Sequence, residues 1–463
     1  MRKMAGLALM IGAALAAGCN SNNDSTTPDP SARNVIFFLG DGMGLNTLTA
    51  ARIYGVGEEG DLTMDTLPET AFIKTFSHDA QVTDSAPSMA AYMTGVKSNN
   101  GVISMDGDAT YESDCSKSAG KPVTTLLELA KADGRGTGVV TSTRVTHATP
   151  AATYAHICNR DLENDIAVQL VPGGAGYNGA LKEGLDVVLG GGSGFFLPKA
   201  DKGKREDGRN LISEMQAKGY QFASNLSELN KAEAGKPLLG LFGSSHMKYE
   251  LDRPADEPSL AQMTLAAIKQ LKDKEKGYFL MVEGGRIDHA LHDTNAKRAL
   301  QDTLAFDNAI KAAIDEVKKT DPELKNTLIV VTADHDHTLV LNGYAKRTGK
   351  TTTGNPGVLG LVKNYQTGEP SKDADGMPYT IIGFGNGYNR VDGPRSSVAP
   401  LDDATVSAND YHQEVVVKVG DIGNETHGGT DVFLGAIGQG ADSFHGSLDN
   451  TAVFGKVKAA AKL

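Results

Sequence analysis

Tryptophan is absent from the 463-residue chain, aromatic residues make up only 6% of it, and cysteine occurs three times. Three cysteines are too few to staple a small disulfide scaffold, and the length points to one large α/β domain with an insertion or to as many as three domains. Positive charge is scarce as well. The 45 Lys and Arg against 57 Asp and Glu give a formal net charge of −12, which argues against a general nucleic-acid-binding surface and a nucleic-acid partner. No apolar run is long enough to cross a bilayer as a helix; the N-terminal one, at 4–17, is too short. Two common phosphate and ester signatures are missing too. No Walker motif occurs, GGGSGFF at 190–196 lacks a following Lys-Ser/Thr and reads as a tight turn, and there is no G-x-S-x-G elbow of an α/β-hydrolase.

What is present is an ordinary globular composition, 40% hydrophobic and 22% charged, with 54 glycines, a share above the usual ~7%. These point to a sizeable core with many tight turns. Arg2 and Lys3 precede the 4–17 run, so residues 1–18 read as a secretory signal to be removed. The run ends in Ala16-Ala17-Gly18-Cys19, which resembles a bacterial lipobox and makes Cys19 a lipidation candidate. The expected location is therefore periplasmic or outer-membrane-anchored, with contact to the membrane only through an N-terminal lipid; plain secretion is the alternative. Residues 19–33, polar and rich in turn formers, read as a flexible tether, and 34–463 as the folded domain. Cys115 and Cys158 remain as an even pair in an oxidising compartment, either a disulfide or two buried thiols.

From Asn34 onward short apolar runs alternate with amphipathic stretches: VIFFL at 35–39, TGVVTS at 137–142, VVL at 187–189, YFLMV at 278–282, TLIVV at 327–331 and VFLGAI at 432–437, with VTTLLELAKA and LAQMTLAAIKQLKD between them. Strands buried on both faces read as unbroken apolar runs. The pattern therefore predicts an α/β fold of three layers, helices on both sides of a large mainly parallel sheet. Residues 341–426, rich in Gly, Pro, Ser, Thr and Asp, read as an insertion with little sheet of its own.

Three of the runs end in acidic or histidine-bearing segments. VIFFLGDGMG supplies Asp41; FLMVEGGRIDHALHD supplies Glu283, Asp288, His289 and His292; LIVVTADHDH supplies Asp334, His335 and His337. Ligands of open α/β sheets sit at the carboxyl ends of strands, so these groups are expected on one rim. Asp288 and His292 are four apart and share a helical face, the spacing for gripping one ion. Mixed Asp/His sets suit zinc with an open position. Any one pair is also explained as a cap or turn residue; the recurrence after separate buried strands is not. In VTDSAPSMAAYMTGVK, Pro87 marks a helix start that places Ser85 at a helix N-terminus. There Ser85 or Asp84 serves as an N-cap, and the same position attracts phosphate and favours an alkoxide.

Together FFLGDGMG, TDSAPSMAAYMTGVK, THATPAATYAHICNRD, EGGRIDHALHD, VTADHDH and ETHGGTDV resemble the successive signatures of alkaline phosphatases, in the family's order and across nearly the whole domain. The resemblance implies an alkaline-phosphatase-like fold, with the 341–426 insertion as its crown, and hydrolysis of phosphate monoesters through a phosphoserine. It implies one zinc site of Asp288, His292 and His427, a second of Asp41, Asp334 and His335, and a third, usually magnesium, of Asp41, Thr149 and Glu283. Ser85 matches the phosphorylated serine and Arg160 the arginine that clamps the phosphoryl group, with Asp84 able to orient it. His147 and His289 fall at positions that vary within the family and match the pairing of animal-type members. A homodimer and small phosphomonoester substrates are implied on the same ground. A phosphodiesterase or sulfatase of the same superfamily, and a phosphate- or metal-binding protein without turnover, are the alternatives.

Overall fold

The computed structural model describes residues 31–463; the signal, the lipidation candidate Cys19 and most of the tether lie outside the described residues. The apolar run after Asn34 forms strand β1 (Asn34–Gly40), in which every residue after Asn34 is buried. It can be buried on both faces because it lies in the middle of a ten-stranded sheet. Its neighbours are β7 (Tyr278–Gly284) and β8 (Thr327–Ala333), both parallel to it and both wholly buried. Beyond β7 come β3 (Gly136–Arg144), β4 (Val187–Gly191), β6 (Leu238–Leu241) and β5 (Gln221–Ala223), all parallel. Beyond β8 lies Val432–Gly438, antiparallel to β8 and to β2 (Glu69–Lys74), and then Gly446–Asp449, parallel to β2. Only Val432–Gly438 runs against the rest, so the sheet is mainly parallel as the runs predict.

Two groups of helices pack on the central strands. One group is α1 (Leu45–Val56), Leu260–Leu271 and Ala296–Lys318; the other is α2 (Ser85–Thr94), α3 (Leu126–Asp133) and Asn450–Ala461. Leu260–Leu271 begins with a capping box in which Ser259 and Gln262 satisfy each other's backbone N–H. Its buried Leu260, Met263, Ala267, Ile268 and Leu271 form the stripe facing the sheet. Residues 339–426 add a second, three-stranded sheet of Leu339–Leu341, Ile382–Gly387 and Val415–Lys418. No helix among the described residues is long and apolar enough to cross a membrane.

Parallel register decides which side chains emerge together at the carboxyl edge of the sheet. Leu39 is level with Glu283 of β7 and Thr332 of β8, and Gly40 is level with Gly284 and Ala333. Thr141 of β3 is also level with Glu283. The next residues out, Asp41 and Asp334, leave the sheet at the same edge as the Glu283 carboxylate.

Candidate active site

Ser85 is the first residue of α2, and Asp84 is its N-cap, so the cap and the first helical position belong to different residues. Asp84 Oδ1 accepts from the Ala86 N–H at 2.7 Å. The Ser85 hydroxyl makes no capping bond; its Oγ lies 3.4 Å from Asp41 Oδ1 and 3.3 Å from His335 Nε2. The remaining carboxylate of that corner, Asp334, is close by. Asp334 Oδ2 is 3.3 Å from His335 Nε2, and Asp334 Oδ1 accepts from the Gly42 N–H at 3.0 Å. Gly42 holds a left-handed backbone (φ 67°), and a Cβ there would lie 2.6 Å from the His337 ring, so this turn requires glycine.

Asp288 and His292 share one face of the turn Arg286–His292, with Asp288 Oδ1 3.3 Å from His292 Nε2. His427, from a strand pair with His337, brings its Nε2 to 3.2 Å from His292 Nε2 and 3.5 Å from Asp288 Oδ1. Thr149 Oγ1 donates to Asp41 Oδ2 at 3.3 Å, and Glu283 Oε2 accepts from Thr143 Oγ1 at 3.1 Å and from Thr141 Oγ1. Arg160 closes the opposite side: its guanidinium is 3.6 Å from Asp84 Oδ1 and donates to His147 Nε2 at 3.0 Å. Asp41, Glu283, Asp288, His292, Asp334 and His335 are thus brought together in one cluster beside Ser85.

The cluster is short of positive charge. Burial, and then Asp41, push Asp334 up to about 7; burial, with Asp334 nearby, pushes Glu283 up to about 7. Asp41 is raised well above the carboxylate range by burial and by Asp288 and Glu283. Glu283 Oε1, Asp334 Oδ2, His147 Nδ1 and His289 Nδ1 are buried without a hydrogen-bond partner.

The histidine tautomers define what the cluster can hold. His292 Nδ1 faces the Glu425 carbonyl, His427 Nδ1 the Thr83 carbonyl at 2.8 Å, and His335 Nδ1 the Asp336 carbonyl at 3.2 Å. A carbonyl only accepts, so each Nδ1 carries the proton and each Nε2 presents a bare lone pair. The bare Nε2 atoms of His292 and His427 therefore aim at each other and at Asp288, and that of His335 aims at Asp41 and Asp334. Lone pairs brought together in this way repel unless a cation lies between them. The donor set fits divalent metal ions, with Asp41, Asp334 and His335 all offering atoms within 4.8 Å of one another, and Asp41, His147 and Glu283 likewise.

His337 differs, although it belongs to the same DHDH segment. Its Nδ1 lies 2.6 Å from Glu425 Oε2 and its Nε2 2.8 Å from Asp288 Oδ1. Burial opposes its charge, but Glu425 and Asp288 hold it well above the usual histidine range. It is a doubly donating imidazolium wedged behind Asp288, with no lone pair to offer. Glu425, fully buried beneath it, was not singled out in the sequence, nor was His246, whose ring centroid lies 4.2 Å from that of His289 and 5.3 Å from that of His147. Neither carries a local signal, since both act through contacts distant in sequence; the ETHGGTDV segment containing Glu425 is the nearest to one.

Comparison with known proteins agrees with this chemistry. A family model described as alkaline phosphatase matches residues 32–463. The tissue-nonspecific alkaline phosphatase of Gallus gallus is 38% identical over 449 residues, covering 90% of this chain and 82% of the relative. Among solved structures, the alkaline phosphatase of Thermus thermophilus superposes with a TM-score of 0.68 at 27% identity, covering 94% of this chain and 93% of that one. A variant of the alkaline phosphatase of the Antarctic bacterium TAB5, described with Mg bound in its M3 site, has a TM-score of 0.65 at 24% identity, covering 94% of this chain and 99% of its own.

Proposed function

Because this chain belongs to the alkaline phosphatase family and is a phosphomonoester hydrolase, we propose that it works through a covalent phosphoserine at Ser85, with two zinc ions and one magnesium ion. Asp288, His292 and His427 would hold one zinc, Asp41, Asp334 and His335 the other, and Asp41, Thr149 and Glu283 the magnesium. When bound, these ions supply Lewis-acid charge that stabilises the attacking and leaving oxygens of an in-line displacement and turns a negative cluster into a site for a phosphate dianion.

The chain's own residues do the rest. The Ser85 hydroxyl, at the positive end of the dipole of a ten-residue helix, gives up its proton to water and attacks phosphorus. The bond to the ester oxygen breaks, its electrons stay with that oxygen, which takes a proton from water, and the alcohol departs. Water then attacks the phosphoserine, the Ser85 oxygen leaves with its electrons and regains a proton, and inorganic phosphate is released. Arg160 donates through two N–H groups to non-bridging oxygens, its fork aimed by Asp84 and His147. These contacts grip only the phosphoryl group, so selectivity for the alcohol is weak. His147 and His289, both half-buried with their rings 5.4 Å apart between centroids, would line the third site. Export, periplasmic or outer-membrane location, lipidation of Cys19, a crown built from 341–426 and homodimer assembly belong to the same reading and rest on sequence alone.

The observation that carries the mechanism is Ser85 Oγ set between Asp41 and His335 at the head of α2. Its test is acid quenching during p-nitrophenyl phosphate turnover, followed by mass spectrometry of the peptide containing Ser85. One added phosphoryl group is expected, absent from Ser85→Ala, which should keep its metal content while losing turnover. Full turnover by Ser85→Ala would overturn the mechanism, and a monoester rate below the diester or sulfate rates would favour the alternative chemistries.

A further inference from the structure

Arg160 is one of the few groups of the site carried by a loop rather than by a strand tip. Its backbone is held from one side only: the Arg160 N–H donates to the Gly101 carbonyl at 2.9 Å, next to the two hydrogen bonds that pair Ile103 with Ile157. Gly101 is also tied to the partner of the arginine, since its own N–H donates to Asp84 Oδ2 at 2.6 Å. The residues flanking Arg160 on both sides are bound to a different segment, 111–115. Cys158 forms a disulfide with Cys115, with the Cα atoms 5.5 Å apart. Asn159 Nδ2 donates to the Glu112 carbonyl at 3.0 Å, and the Tyr111 hydroxyl donates to Asp161 Oδ2. The Tyr111 ring also lies over Gly101, which is left-handed (φ 80°); a Cβ on Gly101 would sit 2.3 Å from that ring.

We propose that residues 111–115, through the Cys115–Cys158 disulfide and the Tyr111 and Glu112 contacts, are a strap that positions Arg160 for the phosphoryl group. Cys158 is buried and Asn159 nearly so, whereas Tyr111 is half exposed, so the strap spans from the protein interior to its surface across the arginine loop. Among the described residues the guanidinium pairs only with Asp84 and His147, which leaves its remaining donors for the ligand. Fixing residues 158, 159 and 161 fixes where that fork begins, and a bidentate grip loses strength steeply with small displacements. The strap residues do not touch the ligand; they act through Arg160, and the inference rests on Arg160 being the phosphoryl clamp.

The test compares the metal-loaded wild type with the double variant Cys115→Ser and Cys158→Ser, with Tyr111→Phe, and with Arg160→Ala. The readouts are the inhibition constant of inorganic phosphate, KM and kcat for p-nitrophenyl phosphate, and metal content. The strap predicts a rise of roughly threefold to tenfold in the phosphate inhibition constant in the double variant and a smaller one in Tyr111→Phe, at full metal content. An unchanged constant in both variants overturns it, as does a rise matched by loss of metal, which marks general loosening. Where the double variant does not fold, Tyr111→Phe decides alone by the same criteria. If Arg160→Ala leaves phosphate inhibition unchanged, the clamp itself is wrong; if Arg160→Ala weakens it and the strap variants do not, only the strap falls.

Discussion

Asp334→Asn separates the cost of the cluster from its use. Asp334 is fully buried, and burial together with Asp41 pushes its carboxyl from 3.8 up to about 7. A carboxyl raised in this way binds its proton more tightly in the folded than in the unfolded chain, so its contribution to stability is lost as pH rises from about 4 to 7, at roughly 1.4 kcal/mol per pH unit. Above pH 7 the accumulated cost is about 4 kcal/mol. Asparagine removes it at little structural expense. Its carbonyl oxygen can keep the Oδ1 role, accepting from the Gly42 and His335 N–H groups at 3.0 Å, and its amide takes the place of Oδ2, which has no partner and lies 3.3 Å from the bare His335 Nε2. In the metal-free state the variant should therefore be more stable than the wild type, by roughly 2 kcal/mol at pH 5 and about 4 kcal/mol at pH 8. Denaturant titration of chelator-treated protein at the two pH values reads this directly. Adding zinc should invert the order, because only the wild type gains the binding free energy of the site that Asp334 completes, while both keep that of Asp288, His292 and His427. A variant less stable than wild type when both are metal-free at pH 8, or an advantage that does not change with pH, would refute the reasoning.

Arg160→Ala should weaken phosphate inhibition by about tenfold or more while metal content stays at the wild-type level, measured by inhibition kinetics alongside elemental analysis. His427→Ala should lower zinc content by close to one ion per chain, because the three-donor set with Asp288 and His292 loses a ligand; an undiminished count rejects that assignment. Glu425→Gln exchanges for a neutral amide the carboxylate that faces His337 Nδ1 at 2.6 Å and so frees the imidazolium behind Asp288. The expected result is faster zinc loss to a chelator, by about tenfold, with Ser85 still phosphorylated in the reloaded enzyme.

The fold was legible for most strands buried on both faces, although the short buried run of β6 was not singled out. The runs at 35–39, 137–142, 187–189, 278–282, 327–331 and 432–437 all lie in strands of the main sheet. β2 escaped because it alternates: Ala71 and Ile73 are buried while Phe72 is 50% exposed, so no continuous run appears. β5 has three residues and Gly446–Asp449 is polar, too little for any periodicity. The reversed direction of Val432–Gly438 was not legible at all, since an apolar run carries no sign. The carboxylates of the site were visible because each follows or ends such a run, and the shared edge is a consequence of parallel register. The roles of His337, Glu425 and His246 were not. Whether a histidine is a ligand, an imidazolium wedge or a packing ring depends on what its two nitrogens face, and those partners are 88 residues away for His337 and Glu425.

The two sides of the pocket are held by different means. Asp41, Glu283 and Asp334 are aimed by the parallel register of β1, β7 and β8, and their mutual repulsion opposes that arrangement until cations fill it. Arg160 and Asp84 are aimed by a helix cap, the Gly101 backbone and a covalent cross-link to segment 111–115, none of which needs a metal ion. Removing the ions should therefore loosen the acidic side and leave the arginine side in place. A chain of net charge −12 can then collect an anionic substrate only when both sides are complete, since the acidic groups around Ser85 outnumber the one guanidinium beside them.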